Sequence, residues 1–272
     1  MQIDVQGHPT YIYTGGKKLT PDALEREKVI VFIHGAQQDH SCWTLQTRWF
    51  AHHGFSVLAP DLPGHGKSGG QPLPSIEALA DWIAALFDAL KIKQARLVGH
   101  SMGSLVALEF NIRHPQRALR TALVGNALPM PVAPVLLDAA RDNEPKAAAM
   151  INAWSYSASG QFGGNTVPGL WLLGVNQRLM ERQRRGVFHT DLNACNAYSR
   201  TLDTLSTITT PVLIVAGSQD RMTSPRAARA VQSAIPGSTL IVIEGSGHAL
   251  MAERPDALLD SLIGFLATPG GL

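Results

Sequence analysis

The sequence predicts an α/β protein: a parallel sheet with helices on both faces and a helical segment inserted before the last two strands. Three observations carry this. Short apolar runs alternate with longer stretches of helical spacing between about residues 29 and 124, and again between 212 and 266. Two of the runs, Val29-Ile-Val-Phe-Ile33 and Val212-Leu-Ile-Val-Ala216, are unbroken, as suits strands covered on both faces. From 127 to 206 the alternation stops, and that stretch holds no credible strand. A structureless loop of such length does not suit a compact domain, so helices are expected there.

Taken in order, residues 1–5 and 10–13 are short strand candidates, followed by a polar stretch ending at Lys28. The run 29–33 leads straight into His34-Gly35. Residues 43–53 have helical spacing, and the strand 55–59 stops at Pro60. Residues 75–90 form an amphipathic helix with Ser75 as N-cap, preceded by Pro74. Strand 95–98, helix 102–113 and strand 119–124 follow. The rhythm resumes with strand 212–216, helix 224–234, strand 239–243 and helix 255–266. Within the insertion, Pro129, Pro131 and Pro134 interrupt any helix. Residues 135–153 are then helical in character, Gly160, Gly163 and Gly164 mark a flexible stretch, and 170–185 are helical again. The expected organisation is a core of residues 1–126 and 207–272 with a helical cap, or lid, of residues 127–206.

Composition narrows the function. The chain has 272 residues, 45% hydrophobic and 16% charged, which excludes a disordered protein. Its 23 Lys and Arg against 21 Asp and Glu leave a net charge of +2. That gives no electrostatic reason to expect nucleic acid or an anionic membrane as partner. Cys42 and Cys195 are too few for a disulfide framework or a four-thiolate zinc site, and are expected as ordinary thiols. The N-terminus lacks a basic start followed by an apolar run, and no stretch reaches the roughly 18 apolar residues of a membrane span. A cytoplasmic protein is therefore expected.

The chemistry lies at strand ends. Gly99-His-Ser101-Met-Gly103 is a G-x-S-x-G pentapeptide between a strand and a helix. In that context the turn lifts a serine hydroxyl above the sheet and aims a helix N-terminus at it. The bland alternative is Ser101 as an N-cap with glycines for packing. A serine hydroxyl needs a base, and the base needs an orienting partner. Among ten histidines, His248 stands out because Glu244-Gly-Ser-Gly-His248 follows the strand 239–243 directly. Asp220, in Gly217-Ser-Gln-Asp220, is the only carboxylate at a comparable strand end between serine and histidine; an Asx-turn is its bland reading. The strand end at Asn126 offers an amide instead. An oxyanion hole needs two N–H groups, for which Met102 and Ala36 are the candidates. His34 is a candidate substrate contact, and its expected role is to support the loop that carries Ala36.

These motifs, together with Asp61-Leu-Pro-Gly64-His-Gly66-Lys-Ser68 and Gly247-His248, resemble the α/β-hydrolase superfamily over essentially the full chain. The resemblance implies an eight-stranded, mostly parallel sheet with a helical cap after the sixth strand. It implies a triad of Ser101, Asp220 and His248, and a reaction without metal or organic cofactor. The serine sets the chain apart from haloalkane dehalogenases and epoxide hydrolases, which use aspartate. Ala36-Gln-Gln-Asp39 lacks the glycines usual in carbon–carbon bond hydrolases of aromatic degradation, and Ala36 is not the aromatic residue of haloperoxidase-like members. The expected activity is that of a serine carboxylesterase on a small, mostly apolar ester. Lipase, thioesterase, lactonase and carbon–carbon hydrolase are alternatives, and a non-catalytic ligand receptor is a further one from another class. In the cap, Met150, Trp154, Tyr156, Phe162, Trp171 and Leu172 are candidates to line the pocket or to glue the cap down. Arg178, Arg182 and Arg185 could attract an anionic substrate or form a solvated helix face. The oligomeric state has no signature in the sequence.

Overall fold

A computed structural model describes residues 1–25, 28–164 and 169–267. Eight strands form one sheet: β1 (Gln2–Val5), β2 (His8–Tyr13), β3 (Val29–Ile33), β4 (Ser56–Pro60), β5 (Ala95–His100), β6 (Ala118–Val124), β7 (Val212–Gly217) and β8 (Thr239–Ile243). Their order is β1-β2-β4-β3-β5-β6-β7-β8. The pairs β1/β2 and β2/β4 are antiparallel; the other five are parallel. This is the α/β-hydrolase sheet, mostly parallel and flanked by helices.

The unbroken runs behave as the sequence predicts. Along β3, Val29, Val31 and Ile33 face one core, while Ile30 and Phe32 face the other. Side chains alternate across a strand, so only a strand covered on both sides needs every position apolar. The first core is closed by α3 (Ile76–Ala89) and α4 (Met102–Arg113), the second by α2 (Thr44–His52) and α12 (Pro255–Leu266). Two short helices, α1 (Pro21–Glu25) and α11 (Leu250–Glu253), and the longer α10 (Pro225–Ala234) complete the core. Ser75 accepts the N–H of Ala78 at 3.1 Å, as expected of the α3 N-cap.

Between β6 and β7 the described residues form five helices: α5 (Pro134–Asp142), α6 (Glu144–Ser155), α7 (Ala158–Gln161), α8 (Leu172–Glu181) and α9 (Val187–Ala197). Two expectations need correcting here. The single helix expected over 135–153 is two. Asn143 leaves helical geometry, its side chain accepts the N–H of Lys146 at 3.2 Å, and Pro145 lies in the new first turn. The helix expected over 170–185 ends at Glu181, so Arg185 is not on its face, and α9 follows as a helix the periodicity did not isolate. The cap has its own small core of Leu136, Ala140, Ala147, Met180, Phe188 and Leu192. It is fastened to α4 by a buried carboxylate: Glu109 accepts two bonds from Arg200, at 2.7 and 3.1 Å, and one from the Tyr198 hydroxyl at 2.7 Å.

Candidate active site

Ser101 sits where β5 turns into α4, with φ 53° and ψ −118°. Non-glycine residues rarely adopt such a φ, and its persistence here depends on the packing around it. A Cβ on Gly99 would fall on the carbonyl oxygen of Gly103, and a Cβ on Gly103 on that of Ile33. Both positions must be glycine for the turn to close. The N–H of Ser101 donates to the carbonyl of Val124 at 3.0 Å, tying the turn to β6. The Ser101 side chain makes no capping bond, so the N-cap reading fails and the hydroxyl is not spent on the helix.

His248 Nδ1 donates to Asp220 Oδ2 at 2.8 Å. With Nδ1 carrying that proton, Nε2 has no hydrogen-bond partner among the described residues. His248 and Ser101 line one cavity. Asp220 is held by three further bonds: Oδ1 accepts the N–H groups of Met222 and Thr223, both at 2.8 Å, and Oδ2 accepts the Thr223 hydroxyl at 2.7 Å. The Asx-turn and the imidazole partner are therefore compatible, because each uses a different oxygen. Burial alone would raise the Asp220 carboxyl; the charge and hydrogen bond of His248 and the Thr223 donors outweigh it, leaving the group below the usual range. The backbone of His248 is fixed as well. Its N–H and that of Ala249 donate to the carbonyl of Ser155 at 2.7 and 3.1 Å.

Ala36 and Met102 are the oxyanion-hole candidates; Ala36 lines the cavity, and Met102 follows Ser101 at the start of α4. Among the described residues, no group accepts from either N–H. His34 explains the orientation of Ala36. Its Nδ1 donates to the carbonyl oxygen of Gly35 at 2.9 Å, and its Nε2 accepts the N–H of Leu62 at 3.0 Å. The Gly35 oxygen and the Ala36 N–H are opposite ends of one planar peptide, so fixing one aims the other. His34 is fully buried and is not part of the cavity wall, which corrects its reading as a substrate contact. Burial, then the neighbouring His65, hold its imidazole down to about 4, so it stays neutral and keeps this tautomer.

The cavity at Ser101 is about 210 Å³, with walls that include Ala36, Met130, Leu136, Ile151, Trp154 and Phe188. Of the cap residues expected to line it, only Trp154 does. Tyr156 and Trp171 border a separate hollow of about 870 Å³, where Trp171 is 71% exposed and Leu172 lies beside it. Met150 packs against the cap core, and Phe162 is 88% exposed. The arginines are accounted for individually: Arg178 pairs with Glu181, and Arg182 makes a forked contact to Asp39 at 2.7 and 2.8 Å. One group of potential cation ligands, Asp39, His40 and Asp61, is present with donor atoms within 4.8 Å of one another. Its oxygens already accept from Arg182, Ser41, the His40 N–H and the Lys67 N–H, so the group serves to brace loops.

Two contributors escaped the sequence reading. Thr223 was legible, since an Asp followed three residues later by Thr marks a local side-chain turn. Glu253 was not. It is buried against the His248 turn, where its carboxylate accepts the N–H of Gly247 at 2.8 Å and that of Ser157 at 2.9 Å.

With this geometry in place, the chain can be set beside known proteins. Residues 30–261 match the model of the alpha/beta hydrolase family, and the chain belongs to that family. Among curated proteins, it is 30% identical to a non-heme chloroperoxidase of Streptomyces lividans, over 87% of this chain and 91% of the relative. It is likewise 30% identical to the pimeloyl-[acyl-carrier protein] methyl ester esterase of Neisseria meningitidis serogroup B, over 89% and 92%. Among solved structures, the enol-lactonase of Burkholderia xenovorans LB400 superposes with a TM-score of 0.86 at 24% identity, covering 98% of this chain and all of that one. The chloroperoxidase likeness shows that Ala36 alone does not separate the chain from the haloperoxidase branch.

Proposed function

We propose that this protein is a serine hydrolase that cleaves carboxylic esters of small, mostly apolar compounds through an acyl-enzyme. One observation carries the reading: a serine on a turn with positive φ shares an apolar cavity with a histidine whose other nitrogen is bonded to a buried aspartate. The likeness to the Neisseria esterase supports ester cleavage as the reaction type.

Ser101 Oγ attacks the ester carbonyl, and His248 Nε2 takes its proton. The electron pair of the carbonyl moves onto oxygen, where the N–H groups of Met102 and Ala36 receive it. Collapse of this intermediate expels the alcohol, protonated by His248. Water, activated in turn by His248, attacks the acyl carbon and releases the acid. Asp220 holds the imidazole in the tautomer that keeps Nε2 free and stabilises the imidazolium. A cavity of about 210 Å³ lies below the usual range of ~300–1,000 Å³ for ligand sites, so short chains are preferred.

The test is hydrolysis of p-nitrophenyl esters from acetate to palmitate, with Ser101→Ala as control. Turnover should peak at short chains and fall by several powers of ten in the variant, since members of a triad act as a unit. A maximum at long chains would overturn the small-pocket reading, and undiminished turnover by the variant would overturn the role of Ser101.

A further inference from the structure

The peptide beside the oxyanion candidate is held from the cap. Asp191, on α9, is buried, and its Oδ2 accepts the N–H of Gln37 at 2.8 Å. The side chain of Gln37 reaches the cap too, donating to the carbonyl of Met180 at 3.1 Å. Gln37 needs such anchoring because its φ is +57°, a left-handed conformation disfavoured for a non-glycine residue. The N–H of Gln37 belongs to the Ala36–Gln37 peptide. His34 fixes the preceding Gly35–Ala36 peptide from the core side. The torsions of Ala36 are thus set from two directions: one clamp belongs to the sheet, the other to the cap.

We propose that Asp191 is a positioning residue for the oxyanion hole, so that the seated cap completes the reaction centre as well as covering it. The inference rests on the reading of Ser101 and Ala36 given above. A second contact runs the same way, because the cap carbonyl of Ser155 accepts the N–H groups of His248 and Ala249. Both halves of the machinery, the base and the oxyanion donors, are therefore braced by acceptors that the cap supplies. His65 keeps the Asp191 carboxylate in place. Its Nε2 lies 2.8 Å from the same Oδ2, while its Nδ1 donates to the carbonyl of Pro63 at 2.9 Å. With acceptors at both ring nitrogens, His65 is an imidazolium, and the pair is a buried ion pair.

The experiment uses the full chain and a short aliphatic trifluoromethyl ketone. Ser101 Oγ adds to its carbonyl carbon, the proton goes to His248, and the resulting oxyanion occupies the N–H pair. The corresponding methyl ketone, which binds without adding, reports ground-state affinity. Tight binding of the fluorinated ketone by the wild type, lost in Ser101→Ala, establishes the underlying reading separately. On that footing, Asp191→Ala should lower kcat by roughly 10–100-fold and weaken the fluorinated ketone by a similar factor, with KM and methyl ketone affinity moving less than about threefold. Asp191→Asn keeps the volume in case the alanine variant does not fold, and should show the same pattern with a smaller loss. His65→Gln removes the group that holds the Asp191 carboxylate, and should lower Tm and lower kcat by no more than Asp191→Ala does. Unchanged ketone discrimination in the folded Asp191 variant would overturn the proposal.

Discussion

Single residues decide the chemistry through which of their two faces is occupied. His248 has one nitrogen committed to Asp220 and the other without a partner. Replacing Asp220 with Asn removes the preference for that tautomer, and kcat should fall by about 10⁴ with little change in fold, measurable as ester turnover beside an unchanged circular dichroism spectrum. Thr223 acts one step further out. Its hydroxyl bonds Asp220 Oδ2 and lies 3.1 Å from His248 Nδ1. Thr223→Val should therefore cost roughly fivefold in kcat, in keeping with the loss of one hydrogen bond of about 1 kcal/mol. Ser101, Asp220 and His248 were legible because each stands directly after an apolar run that could only be a strand. His34 was legible as a support for the loop at Ala36; Asp191 and Glu253 were not, because their roles come from contacts between residues far apart in the chain.

At the scale of the element, the turn from β5 into α4 is tightly constrained backbone, with Ser101 at positive φ between two glycines that admit no side chain. The pentapeptide closes only because Gly99 and Gly103 lack side chains. Gly103→Ala should lower stability by on the order of 3 kcal/mol or more, seen as a drop in the denaturant midpoint, because the obstructing atoms are backbone and cannot move aside. Inner strands were readable since burial on both faces leaves an unbroken apolar signature. Cap helices were readable as helices but not in number or bounds, for a physical reason. Their faces are covered partly by each other and partly by the core, so apolar spacing in 127–206 does not follow one stripe. Asn143-Glu-Pro145 nonetheless carried the signal for a new helix start, an N-cap residue two positions before a proline. That signal was outweighed by the surrounding alanines.

At the scale of the whole molecule, buried carboxylates join cap to core. Glu109 draws Arg200 and Tyr198 onto α4, and Asp191 draws the His34–Gln37 loop onto α9. Arg200→Met would leave Glu109 in the interior with the Tyr198 hydroxyl and a more distant Arg113 at 3.8 Å, and should lower stability by about 3 kcal/mol. The His65–Asp191 pair gives the clamp a pH dependence of known sign. Burial lowers the His65 imidazole, but the charge and hydrogen bond of Asp191 outweigh it, and the group sits above its ordinary 6.5. Its stabilisation is then complete below 6.5 and fades as pH rises through the higher folded value. The Tm gap between wild type and His65→Gln should accordingly be largest below 6.5 and narrow as pH rises through the raised folded value. A gap independent of pH would contradict the charged pair. No helix among the described residues is long and apolar enough to cross a membrane.

A hydrolase of the proposed kind passes through a covalent intermediate at one serine. The most direct measurement is acid-quenched mass spectrometry of the protein during turnover of p-nitrophenyl acetate, followed by peptide mapping. An added acetyl group on the peptide containing Ser101, absent from Ser101→Ala and accumulating in His248→Ala only at a greatly reduced rate, is the predicted result. Turnover of the ester with no acyl group on Ser101, or with equal rates in the Ser101→Ala protein, would contradict it.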